Sequence, residues 1–145
     1  MIHLIAIALY VQTHLLSILL AIVASFAVGF TWHGPLFGKQ WMAANNITPP
    51  KKEDMKFSMM CPGICANIVM IFFQSAVLGR TFQILNLANI WEALLIATVI
   101  WLPFTALVTV NTHAWLGKSV KATLLDVFFN LASIWAVAAI LYATL

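Results

Sequence analysis

Asp126 is the residue in this sequence best placed to do chemistry. It lies inside the most C-terminal apolar stretch, and Asn130 and Ser133 follow it at i+4 and i+7. That spacing makes a polar stripe on one helix face. The preceding apolar stretch carries a matching stripe of Thr105, Thr109 and Thr112, with Asn111 and His113 at its end. A short turn joins the two stretches, so His113 and Asp126 belong at the same end of a helix hairpin. His33 ends an earlier apolar stretch and is a third candidate for that place. An imidazole beside a carboxylate relays protons, holds a cation or gates a cavity, and ionisable groups at membrane depth default to such roles. The simpler reading is that Asp126 locks the hairpin through His113, Lys118 or Lys121.

Other constellations are weaker. Cys61 and Cys65 are spaced i, i+4 and do not form a redox Cys-x-x-Cys pair. With Met55, Met59 and Met60 they make a soft-ligand cluster suited to Cu(I), although Met and Cys are also ordinary apolar fillers. Glu92 follows Asn89 by three positions, which matches a capping box, and its charge suits a helix N-terminus. Gln74 reads as an interhelical hydrogen-bonding group. The sequence carries no Gly-rich phosphate loop after a strand, no His-Glu-x-x-His and no serine nucleophile motif. Neither enzyme activity nor a cofactor is expected.

The elements that position these residues follow from composition. The chain has 145 residues, 63% hydrophobic and 8% charged. Seven basic and four acidic side chains cannot coat a water-soluble globule of this length. A soluble monomer, a disordered chain and a nucleic-acid-binding chain are excluded, despite a net charge of +3. The partner of most of this surface is the lipid bilayer. Crossing the hydrocarbon core takes about 20 apolar residues. Four stretches qualify, near 12–31, 57–79, 90–110 and 120–142, and they leave no room for a soluble domain. The fold class is therefore all-α membrane protein, one domain of four transmembrane helices arranged as two hairpins. Residues 1–11 read as a retained apolar extension that tilts, protrudes or bends near Gln12-Thr13-His14.

Charge placement sets the topology. Lys39, Lys51, Lys52 and Lys56 fall in the connection 32–56, Lys118 and Lys121 lie around the junction of the third and fourth spans, and only Arg80 lies on the other side. Cytoplasmic loops carry the excess of Lys and Arg. Both basic loops are expected inside and both termini outside, in an inner or plasma membrane. Trp32, Trp41, Trp91 and Trp115 fall at the interfaces where an aromatic belt belongs. Pro62 and Pro103 are candidate kinks.

Ser17, Ala21, Ser25 and Gly29 repeat at i+4 on the first span and form one small-residue stripe. Small residues let helix backbones approach closely in lipid. The stripe serves either packing within the bundle or contact with another subunit. The two turns, Trp32-His33-Gly34-Pro35-Leu36-Phe37-Gly38-Lys39 and Thr112-His113-Ala114-Trp115-Leu116-Gly117-Lys118, share a His and a Gly-Lys, which is compatible with a 2+2 parallel repeat.

The segment from Trp32 to Trp41, with Gly34, Pro35, Phe37 and Gly38 inside it, resembles the signature of the domain-of-unknown-function family 1761. Trp101-Leu102-Pro103-Phe104 and the segment from Asn111 to Gly117 are similar to that family's second half. The resemblance implies a small four-helix membrane protein of bacterial or fungal type and names no activity. From the residues themselves, the leading expectation is a non-catalytic packing protein, either a homo-oligomer or an accessory subunit. The alternative is a small-solute or proton-coupled transporter, or a ligand-binding membrane protein, with a cytoplasm-facing pocket of Asp126, Asn130, His113, Asn111, Thr109 and His33. Copper handling by Met59, Cys61 and Cys65 is the third.

Overall fold

The protein is described here from a computed structural model that covers residues 2–48 and 57–144, with side chains from Ile5 in the first stretch and from Met60 in the second. Lys51, Lys52, Lys56, Met55 and the Met59 side chain lie outside the described residues. Helix α1 (Ile2–Thr13) meets α2 (Leu15–Thr31) at His14, whose φ of −120° and ψ of 26° break the helical run. A π-helical turn over Trp32–Leu36 leads through Phe37 into the short α3 (Gly38–Ala44). Then come α4 (Phe57–Leu85) and α5 (Ile90–Trp101), a second π-helical turn over Leu102–Ala106, α6 (Leu107–Trp115) and α7 (Val120–Thr144). The described residues contain no strand.

Four continuous helical runs are long and apolar enough to cross a membrane: Leu15–Leu36, Met60–Leu85, Ile90–Trp115 and Val120–Thr144. At about 1.5 Å per residue each exceeds the roughly 30 Å hydrocarbon core. The chain is an all-helical protein of the membrane-spanning kind. Proline shapes two of the runs. Pro35 and Pro103 each sit inside a π-helical turn, where the widened ring accommodates a residue without an N–H. Pro62 lies early in α4, and the helix continues through it.

Two boundaries differ from the sequence reading. Helix α4 does not stop at Gly79 but continues to Leu85. A glycine there reads as a stop, yet its role is close approach: a Cβ on Gly79 would collide with the Tyr10 ring and hydroxyl. Likewise Asn111 to Trp115 are helical, and the actual turn is shorter than 111–119. Gly117 adopts φ +63° while Lys118 N–H donates to the His113 carbonyl at 3.0 Å, a Schellman-type stop. Ser119 then caps α7 by accepting from Ala122 N–H at 3.2 Å. The first His…Gly-Lys turn follows a different backbone course, because Gly38 opens α3 and is buried.

Helix α7 sits at the centre, packing most extensively on α2 and next on α5, with further contacts to α4, α6 and α3. Small residues make this closeness possible. Ala21, Ala93, Ala97, Ala106 and Ala138 belong to the buried core with Phe82, Ile134, Val137 and Leu141. Ser17, Ala21 and Ser25 are buried, and Gly29 faces the Phe129 ring. The small-residue stripe of α2 thus lies inside the bundle. The Ser25 and Ser133 hydroxyls are 2.6 Å apart across the α2–α7 seam. Trp135 Nε1 donates to Thr98 Oγ1 at 2.8 Å and ties α7 to α5. Outward faces are apolar: Leu16, Phe30, Phe73, Val99 and Phe104 are all exposed, as suits lipid.

Glu92 caps α5 with a one-residue variation on the expected box. Asn89 Oδ1 accepts from Glu92 N–H at 3.1 Å, and Glu92 Oε2 accepts from Ala88 N–H at 2.8 Å. The carboxylate also accepts from Asn89 Nδ2 at 3.1 Å. Glu92→Ala strands these donors and is expected to cost about 1 kcal/mol. A thermal melt in mild detergent reads this as a drop of a few degrees, with Glu92→Gln recovering most of it.

Candidate functional site

The polar cluster forms where α2, α6 and α7 meet α3. Asp126 stands in the second turn of α7, half-buried, with its side chain 20% exposed. The Trp41 indole Nε1–H donates to Asp126 Oδ1 at 2.7 Å, at the short end of the range for an N–H···O bond. His113, in the last turn of α6, places Nε2 3.5 Å from Asp126 Oδ2. Its Nδ1 lies 3.2 Å from Thr123 Oγ1, and that hydroxyl is also 3.2 Å from the Ser119 carbonyl.

One hydroxyl proton serves two acceptors here. If Thr123 donates to Ser119, His113 Nδ1 must carry a proton and donate to Thr123. Nε2 then faces the carboxylate with a lone pair or, in the imidazolium, with a second N–H. If Thr123 donates to Nδ1 instead, Nε2–H points at Asp126. The orientation of the Thr123 hydroxyl is thus tied to which His113 nitrogen carries the ring proton.

An elbow brings Trp41 to this place. Trp32 packs on Phe37, ring centroids 4.5 Å apart, and on Phe129 at 6.3 Å. Pro35 sits in the π-helical turn, and Phe37, at φ −125° and ψ 6°, breaks the helix. Gly38 passes so close to the His33 carbonyl that a Cβ would collide with backbone. The chain therefore turns α3 across the end of the bundle onto α7. Its far end is held by Lys118 Nζ donating to Asn45 Oδ1 at 3.0 Å and Ser119 Oγ donating to the Ala44 carbonyl at 3.3 Å.

Of the six residues expected to share a pocket, the structure joins His113 and Asp126 directly. His33 is a neighbour rather than a partner: it bonds the Gly29 carbonyl through Nδ1 at 3.2 Å and sets its ring edgewise to Trp41 and Phe129. Asn130 turns its amide back to the Asp126 carbonyl at 2.8 Å, a bond within α7. Thr109 is half-buried and Asn111 exposed, without a described bond to the cluster. Lys121 is exposed, and Lys118 pairs with Asn45, so neither lysine meets the carboxylate. None of five cavities found among the described residues is lined by Asp126 or His113.

Trp41 and Thr123 were missed as partners of the cluster. The Trp41 signal was present in the Trp32–Trp41 motif, but linking it to Asp126 requires the reversal at Phe37. At the other soft-ligand candidate, the Cys61 and Cys65 thiols are free and 3.7 Å apart. The described residues contain no group of three His, Cys, Asp or Glu side chains arranged to hold a metal.

Four apolar runs, one of them central, closed at one end by a folded-back helix on a half-buried acid, define a small polytopic helical membrane protein. Residues 16–142 match the family model described as "Protein of unknown function (DUF1761)". The chain belongs to that family. No curated protein and no solved structure matches it.

Proposed function

We propose that this protein is a non-catalytic membrane packing protein that works as a homo-oligomer, joined through the first half of α4. One observation supports this reading. None of residues 60–70 is buried, whereas Ile71, Ser75, Ala76, Leu78 and Phe82 further along the same helix are. The open half carries Gly63, Ala66, Asn67 and Met70 at i, i+3, i+4 and i+7, on one face. A Cβ on Gly63 would meet nothing within 4 Å. Asn67 donates to the Gly63 carbonyl at 3.1 Å and is exposed. A carboxamide facing lipid has an unfilled demand for partners, and small residues beside it let a second backbone come close. A second copy of the same face supplies both, because an Asn pairs with an Asn across a two-fold axis.

The topology that goes with this reading puts the basic connections in the cytoplasm and both termini outside. The transporter reading draws support from the His113–Asp126 pair alone. It ranks second because Trp41 and His113 occupy both carboxylate oxygens.

Native mass spectrometry from mild detergent is expected to show a dimer or higher homo-oligomer. Asn67→Leu combined with Gly63→Ile is expected to weaken association at least about tenfold, from one interhelical amide contact of about 1–2 kcal/mol plus lost close approach. Circular dichroism and the melting curve should show a folded monomer. A wild type that stays monomeric at all detergent ratios overturns the proposal.

A further inference from the structure

The end of the bundle away from Asp126 holds a second polar group, built around Arg80 of α4. A cavity of about 820 Å³ is lined by Arg80, Gln83, Asn86 and Tyr142. A smaller one of about 210 Å³, on Arg80 and Gln83 as well, is lined by Tyr10 and Thr13. The two spaces thus share the guanidinium-bearing side chain.

Two donors there have no partner among the described residues: the Arg80 Nε–H and the Tyr10 hydroxyl, both buried. Tyr10 is only 2% exposed. Stranding a buried donor costs about 1–3 kcal/mol, and more when it is charged. Nearby polar groups are already engaged with one another. Arg80 Nη1 donates to Gln83 Oε1 at 3.1 Å, and the Gln83 amide nitrogen lies 3.3 Å from His14 Nε2. Tyr142 donates to the Ala88 carbonyl at 3.3 Å.

No Asp or Glu among the described residues lines either space. The two described acids are committed elsewhere, Glu92 to its cap and Asp126 to Trp41 and His113. The Arg80 Nε–H and the Tyr10 hydroxyl, unpartnered among the described residues and beside room for a ligand, call for an incoming oxyanion.

We infer that Arg80 and Tyr10 form a binding site for a phosphate group. Arg80 donates to it through Nε–H, and Tyr10 adds a neutral donor. Guanidinium geometry matches phosphate oxygens, and the rim of a membrane bundle is where headgroup phosphates concentrate. The group comes from a phospholipid headgroup or from free phosphate. This site stands independently of the α4 interface, since it uses the other half of that helix.

Delipidated full-length protein in a neutral maltoside detergent separates the sources. Thermal stability is followed while adding a short-chain phosphatidylglycerol, the matching diacylglycerol lacking phosphate, or inorganic phosphate against sodium chloride of equal ionic strength. Stabilisation by the phospholipid but not by the diacylglycerol or inorganic phosphate assigns a lipid headgroup. Stabilisation by inorganic phosphate assigns a free anion. Arg80→Gln is expected to abolish the response, and Arg80→Lys to restore part of it.

Tyr10→Phe guards against misfolding. It is expected to weaken the apparent affinity about tenfold, the loss of one hydrogen bond to a charged group. It should leave the ligand-free melting temperature at or above wild type, because it removes an unpartnered hydroxyl. No response to either phosphate probe, or a response unchanged in Arg80→Gln and Tyr10→Phe, overturns the inference.

Discussion

Asp126→Ala should destabilise the protein by about 2 kcal/mol, read from unfolding in mixed micelles. The substitution removes the acceptor of the Trp41 indole and strands that N–H at the bundle end. A hydrogen bond to a charged group is worth about 1.5–3 kcal/mol. Some of that is returned, since a carboxylate held partly out of water no longer has to be accommodated. The return is limited because the side chain keeps 20% exposure. Asp126→Asn retains an oxygen for Trp41 and should lose less than about 1 kcal/mol. A double-mutant cycle with Trp41→Phe should give a coupling near 1 kcal/mol. Hydrogen exchange should speed up in Gly38–Ala44 for Asp126→Ala and much less for Asp126→Asn. A proton-transport role predicts another pattern, in which Asp126→Asn folds well yet loses flux in proteoliposomes. Unchanged flux leaves the carboxylate as a lock on α3.

Gly79→Val should be the most damaging single change, at about 3 kcal/mol, and should release α1. Replacing glycine inside a helix normally stabilises it by up to about 1 kcal/mol. Packing reverses the sign here. The Tyr10 ring and hydroxyl lie directly against Gly79, and Tyr10 itself is only 2% exposed. Overpacking of this sort costs about 1–3 kcal/mol or more. The side chain must leave its slot, taking with it the contacts to Ile18 and Ala76. Proteolysis and hydrogen exchange across Ile2–Thr13 should rise sharply. Tyr10→Leu in the same chain should recover much of the loss, because it vacates the space the valine needs.

The sequence made the spans legible because lipid imposes a single rule on them, an apolar run of fixed length. It also placed His113 with Asp126, since a hairpin with a short turn leaves little choice, and the Asn89–Glu92 cap, which is local. What it hid were long-range approaches. Gly79 looked like a terminator, and only the arrival of Tyr10 from another helix shows why no side chain fits. Trp41 was assigned to the interface, yet the elbow at Phe37 turns it onto Asp126. Asn130 appeared to be part of a pocket by its spacing, but an i+4 amide can equally return to its own backbone, and here it does. The exposed half of α4 was invisible, because an apolar run reads the same whether its neighbours are helices or lipid.

The seam between α2 and α7 also has a consequence in time. Ser25 and Ser133, joined at 2.6 Å, are separated by 108 residues of chain. At synthesis rates of about 5–20 residues per second, the first span leaves the ribosome some 5–20 seconds before its main partner exists. Throughout that interval Ser25 has no Ser133 to bond. Assembly of this bundle is therefore completed by the last helix to emerge, and a chain cut short before α7 has no centre around which to form.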